Sequence, residues 1–115
     1  MLSATPNLIY LAKEPIDMRK SIDGLSLLVS GEFGENPASG SGYVFYNRGK
    51  NKMKLLYFDR TGFVLFYKRL ERGQFILLDS KERLCAISLL ELEALLAGAD
   101  IKKLKIPGRL EYGVS

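Results

Sequence analysis

Apolar positions recur along this chain in more than one rhythm. Leu8–Leu11 (LIYL) is apolar on consecutive residues and reads as a strand. Lys13-Glu14-Pro15 ends it, because proline restricts its predecessor and has no N–H for a central ladder. From Asp17 the rhythm becomes helical: Met18, Ile22, Leu25 and Val29 fall at i, i+4, i+7 and i+11, with Leu28 beside them. Arg19, Lys20, Asp23 and Ser26 take the other faces. The pattern predicts a helix capped by the Asp17 carboxylate and closed at Ser30-Gly31. Gly24 inside it costs about 1 kcal/mol against alanine, which suggests a close backbone crossing. Glu35–Gly42 (ENPASGSG) reads as a flexible loop.

The next rhythm is that of strands. Tyr43–Tyr46, Leu55–Phe58 and Phe63–Tyr67 are rich in β-branched and aromatic residues. Asp59-Arg60-Thr61-Gly62 predicts a hairpin with a type I turn and Gly62 in the left-handed region. Arg48–Asn51 and Glu71-Arg72-Gly73 read as two further turns, with Phe75–Leu78 closing the meander as a strand. Leu55–Phe58 and Phe63–Tyr67 are apolar without alternation, as in strands that are covered on both faces or cover a partner on one. Gly42–Tyr46 (GYVFY) faintly resembles the aromatic strand of an RNA-recognition motif. That fold needs a helix between its third and fourth strands, where short turns stand here.

After a charged turn at Asp79–Arg83, Leu84–Ile87 reads as a last short strand. Ser88-Leu89-Leu90-Glu91 has the spacing of a capping box. The helix it opens spans Leu89–Ala97, with Leu92, Leu95 and Leu96 inward and Gly98 as terminator. The expected fold class is α+β: an antiparallel β-meander of about four to six strands with two main helices. At 115 residues it reads as one domain, 1–115, with a flexible leader 1–7 and a flexible basic tail 102–115. In the tail, Lys102, Lys103, Lys105 and Arg109 read as a solvated terminus or a second phosphate-contacting arm.

Composition narrows the chemistry. The chain has no histidine, which removes histidine-dependent triads and the commonest general base. It holds no Walker loop, dinucleotide glycine fingerprint or CxxC pair. No catalytic residue, metal site or cofactor is expected. The lone Cys85 rules out an internal disulfide, fits a reducing cytoplasm and reads as a small core residue. There is no apolar run long enough for a membrane span and no signal-peptide pattern, so a cytoplasmic location is expected.

Charge is unevenly placed. Within Tyr43–Phe75, Arg48, Lys50, Lys52, Lys54, Arg60, Lys68, Arg69 and Arg72 stand against Asp59 and Glu71, a net of +6 in a chain of +4. A local basic field on one module is the usual footprint of a polyanion contact. Adjacent strand residues face opposite ways, so Lys68 and Arg69 cannot both serve one surface. One is expected to pair with Glu71 or Asp59. The other, with Lys52 and Lys54 on a neighbouring strand, could form a same-face basic strip. The plain alternative is that the aromatics are core and the lysines its solvated rim.

Three segments together resemble the small accessory protein of insertion-sequence-sixty-six transposons, the TnpB-type product of the second open reading frame. They are Asp17–Leu25 (DMRKSIDGL), Lys54–Phe75 with its KRLERGQF ending, and Ile87–Ala99 (ISLLELEALLAGA). The resemblance spans roughly residues 8–101. DMRK-x-x-DGL and KRLE-x-G-x-F are distinctive pairings. The motif positions are Asp17, Arg19, Lys20 and Asp23, then Lys68, Arg69, Glu71, Gly73 and Phe75. The chain departs from the family in having Ser21 for the usual glycine, Phe58 and Phe66 where tryptophan is frequent, and Ile76-Leu77 for Trp-Pro.

The resemblance implies a non-catalytic helper of transposition, acting beside a separately encoded transposase. Two modes of action follow. In one, the basic meander contacts transposon DNA. In the other, the aromatic sheet or the Leu89–Ala97 helix docks on the transposase, without DNA contact of its own. An enzyme is not expected, because magnesium nuclease chemistry needs clustered carboxylates and Asp17, Asp23, Asp59 and Glu71 lie among basic residues. At Asp17, Arg19 and Lys20, a recognition edge at a helix N-terminus competes with a plain cap and an Arg19–Asp23 pair.

Overall fold

The computed structural model describes Pro6 and residues 8–98. The leader, apart from Pro6, and the basic tail lie outside the described residues. Five strands and two helices follow in the order β1 (Ile9–Ala12), α1 (Ile22–Gly31), β2 (Gly42–Tyr46), β3 (Lys52–Asp59), β4 (Gly62–Arg69), β5 (Leu84–Ile87) and α2 (Leu89–Leu96). They form one sheet ordered β4-β3-β2-β1-β5. β2, β3 and β4 are the expected antiparallel meander. β1 pairs parallel to β2 and antiparallel to β5. A parallel neighbour needs a long crossover, and the stretch containing α1 supplies it.

Each face of the sheet carries one helix. Tyr43, Phe45 and Leu56 pack with Leu25 and Val29 of α1. Val44, Tyr46, Met53, Leu55 and Tyr57 pack with Leu92 and Leu95 of α2. This double cover is why β2 and the middle of β3 are apolar on consecutive residues, as expected for Leu55–Phe58. Phe63–Tyr67 is not covered in the same way: it forms the edge strand β4, where Phe66 and Tyr67 are exposed. Leu25 and Val29 are fully buried, and each contributes about 1.5–3 kcal/mol. Because Tyr43 and Phe45 are buried under α1, they offer no ring to a nucleotide base, unlike the aromatic strand of an RNA-recognition motif.

Several local expectations are corrected. The first helix starts at Ile22, not Asp17, with Ser21 extended at its N-cap and no side-chain cap. Asp17 instead closes a turn: its backbone carbonyl accepts from the Lys20 N–H at 3.1 Å and its carboxylate from the Arg19 N–H at 2.9 Å. Met18 therefore joins the α1 stripe from that turn. The helix runs through Gly31 to a C-cap at Glu32, and the left-handed glycine is Gly34. No backbone crosses at Gly24; the nearest atom to a Cβ there is Lys20 Cβ, at 3.4 Å.

In the β3–β4 hairpin Asp59 pairs directly with Gly62, leaving a two-residue loop. The left-handed residue is Arg60 (φ 48°), not Gly62. Phe75–Leu78 is not a strand. The segment turns away from the β4 edge and crosses the α2 face instead. Phe75 is buried there, and its N–H donates to the Lys50 carbonyl at 2.6 Å. The loop at 35–42 is built from turns anchored on Asn36, whose side chain accepts from the Ala38 N–H at 2.9 Å. The capping box of α2 is present: Ser88 Oγ accepts from the Glu91 N–H, and Glu91 Oε1 from the Ser88 N–H.

Candidate nucleic-acid interface

The sheet sorts the eight predicted basic residues by register. Lys52 of β3 lies directly opposite Arg69 of β4, and Lys54 opposite Tyr67. Opposed residues share a face, so Lys52, Lys54 and Arg69 lie on one side, the side of α1. Three hydrogen bonds to backbone carbonyls bring two turns to the same end of the hairpin. Leu70 N–H donates to Asn51 at 2.7 Å, Phe75 N–H to Lys50 at 2.6 Å, and Gln74 Nε2 to the Gly49 carbonyl at 3.0 Å. Arg48, Lys50 and Arg72 therefore border Lys52 and Arg69. Arg60 sits at the opposite tip, roughly 23 Å away at the usual rise of a strand. Lys68 faces the α2 side, opposite Met53.

These cations are not equally available. Lys54 Nζ donates to two backbone carbonyls, those of Met18 and Lys20, each at 2.7 Å. It also lies 5.5 Å from the centre of the Tyr67 ring. Lys68 Nζ donates to the Leu96 carbonyl at 2.7 Å, placing a cation where α2 leaves unpaired carbonyls. These two lysines hold the fold together. Arg69 pairs with Glu71 at 2.9 Å and Arg60 with Asp59 at 3.4 Å, both at the surface. Such exposed pairs are worth at most about 1 kcal/mol and exchange readily for a phosphate. Arg48, Lys50, Lys52 and Arg72 make no side-chain hydrogen bond or ion pair to any described residue.

The sequence expected separate residues for the Glu71 pair and the shared strip. Arg69 fills both roles. The expected Arg19–Asp23 pair is replaced by a bidentate Arg19–Asp17 contact, at 2.7 and 3.0 Å to one carboxylate oxygen. Hydrogen bonds from the Arg19 side chain and backbone hold the Asp17 carboxyl down at about 2. A cleft of about 400 Å³ between Pro15–Met18 and Asn47–Arg48 joins this turn to the basic end. Exposed Lys20 enters from the same turn. The contact that brings it there, Lys54 to Met18 and Lys20, left little trace in the sequence. Its one sign is a lysine inside an otherwise apolar strand.

No group of His, Cys, Asp and Glu side chains among the described residues is arranged to hold a metal ion. No helix among them is long and apolar enough to cross a membrane. The family model described as IS66 Orf2 like protein matches residues 7–106. The chain belongs to this IS66 Orf2-like family. Among its relatives are two proteins of Sinorhizobium fredii. The uncharacterized protein y4jC is 32% identical over 97 residues, covering 84% of this chain and 83% of that protein. The uncharacterized protein y4hO is 35% identical over 92 residues, covering 80% of each. No solved structure matches.

The residues that carried the IS66 resemblance acquire physical roles. The DMRK turn supplies the carbonyls that hold Lys54. Asp23 lies exposed in the first turn of α1, where a carboxylate suits the helix dipole. Gly73 takes φ 74°, which a side chain would strain, and lets the chain reverse after β4. Phe75 is 2% exposed and fills the core beneath α2. Membership of the IS66 Orf2-like family ties the chain to transposition as an accessory protein.

Proposed function

We propose that this IS66 Orf2-like accessory protein assists transposition by holding DNA through its sugar–phosphate backbone at the basic end of the β3–β4 hairpin. The observation that carries the reading is the meeting of Lys52, Arg69, Arg48, Lys50 and Arg72 at one end, four of them without a partner among the described residues. Phosphate contacts of this kind set position and carry no sequence information. The rings of β2 and Tyr57 are buried and offer no stacking surface, and a contact made through phosphates is weak and steeply salt-dependent. The protein supplies positioning and charge, and bond breaking belongs to the separately encoded transposase. Of the eight residues expected to bind, Lys54, Lys68 and Arg60 leave the contact set.

The test is a fluorescence-anisotropy titration against a labelled transposon-end duplex and a scrambled duplex. Four phosphate contacts imply a loss of affinity on the order of a hundredfold between 50 and 200 mM salt. Both duplexes should bind alike. Lys52→Met should flatten the log–log salt slope by about 0.9, and Arg60→Gln should leave it unchanged. Absence of binding at low salt overturns the reading. It would favour docking on the transposase, for which Leu89 and Leu90, each about half exposed on the first turn of α2, offer an apolar contact.

A further inference from the structure

The two edges of the sheet differ. β5 is four residues long, whereas β4 is eight and has no strand on its outer side among the described residues. Register fixes which backbone groups of β4 point outward. Asp59 and Gly62 close a two-residue loop, and Leu70 N–H bonds to Asn51 at the far end. Hydrogen-bonded pairs alternate along an antiparallel ladder, so Gly62, Val64, Phe66 and Lys68 bond to β3. The N–H and C=O groups of Phe63, Leu65, Tyr67 and Arg69 therefore face away from the sheet.

Proteins usually guard such an edge with charge, proline or a bulge. Gly62–Tyr67 (GFVLFY) contains neither charge nor proline. Phe66 and Tyr67 are also 38% and 48% exposed. A six-residue apolar window with free backbone groups is a template for strand addition.

We propose that a second copy of this chain covers the edge, pairing β4 antiparallel to β4 about a two-fold axis at Phe66. In this register Phe63 opposes Arg69 of the other copy and Leu65 opposes Tyr67, each as a hydrogen-bonded pair. Val64 opposes Lys68, and Phe66 meets its own copy across the axis. Lys68 and Arg69, the two basic residues of β4, thus each face an apolar or aromatic one. In-register parallel pairing would instead set Lys68 against Lys68 and Arg69 against Arg69, which like-charge repulsion disfavours. The arrangement is isologous, so it closes at two copies and consumes both long edges. It does not depend on the nucleic-acid reading.

The experiment combines light-scattering mass with a register-specific crosslink on the full chain. The wild type at about 100 µM should have twice its 12.9 kDa monomer mass. Tyr67→Pro removes an outward N–H and leaves the β3 ladder intact; it should be monomeric with an unchanged circular-dichroism spectrum. In a Cys85→Ser background, Phe66→Cys should oxidise to a disulfide dimer, because non-hydrogen-bonded antiparallel pairs bring Cα atoms to about 4.5 Å. Val64→Cys should not, since the two copies of that residue lie four positions out of register. A monomeric wild type overturns the proposal, whether another protein or the chain's own residues 99–115 cover the edge. So does a dimer that Phe66→Cys fails to crosslink.

Discussion

Lys54→Met separates structure from function at the basic end more sharply than any other change. Methionine keeps the stem's packing on the sheet and removes only the ammonium. That ammonium donates to the Met18 and Lys20 carbonyls at 2.7 Å and so ties the DMRK turn to β3. Hydrogen bonds involving a charged group are worth about 1.5–3 kcal/mol each. The bond to Lys20 is exposed, and water replaces part of it. The expected cost is therefore about 2–4 kcal/mol. Lys52→Met, one strand position pair away and without a described partner, should cost no more than about 0.5 kcal/mol. Urea unfolding followed by circular dichroism reads the difference. With a slope of about 1–3 kcal/mol/M, the Lys54→Met midpoint should fall by about 0.7–4 M. The DNA titration should show the reverse order, with Lys52→Met losing salt slope and folded Lys54→Met keeping it. Equal midpoints for the two variants would refute the carbonyl clamp.

Three other outcomes follow from the geometry. Asp17 should titrate near 2 by carboxyl NMR and rise toward the ordinary aspartate range, about 3.9, in Arg19→Gln. Because the folded value is the lower one, the turn's contribution is complete above about 4 and is lost as pH falls through about 2. Ser88→Ala breaks the capping box of α2 and should lower unfolding stability by about 1 kcal/mol in a thermal or urea melt. Arg60→Gly relieves the left-handed φ of 48° and should raise hairpin stability by about 0.5–1 kcal/mol, with DNA affinity unmoved.

Periodicity and turn chemistry made most of the elements legible. The helical stripe of Ile22, Leu25 and Val29 and the unalternated runs of β2 and β3 state which surfaces are buried. Ser88 and Glu91 announce the start of α2 because both halves of a capping box lie within one turn of chain. The misplaced signals are also local ones. Asp17 is a good capping residue, but Arg19 two positions on claims its carboxylate, and the helix waits until Ile22. Gly62 is the residue most tolerant of a left-handed backbone, but direct Asp59–Gly62 pairing moves that conformation to Arg60. Phe75–Leu78 has a strand's composition, but the Phe75 N–H bonds to the Lys50 carbonyl of the β2–β3 turn and Phe75 packs into the α2-side core, so the segment does not run along β4.

The order of residues already carries the type of most elements, the apolar faces they bury, the concentration of positive charge between Tyr43 and Phe75, and the motifs shared with IS66 Orf2-like proteins. Those properties depend on neighbours a few residues apart, or on composition. Packing in three dimensions set which cations share a surface and which are consumed. Lys54 and Lys68 differ from Lys52 because carbonyls 28 to 36 residues away accept from them. It also decided that β1 lies parallel to β2 and that β4 ends the sheet with its backbone groups facing outward. Such partners are chosen by how helices and strands pack in space, and no window of residues along the chain encodes that distance.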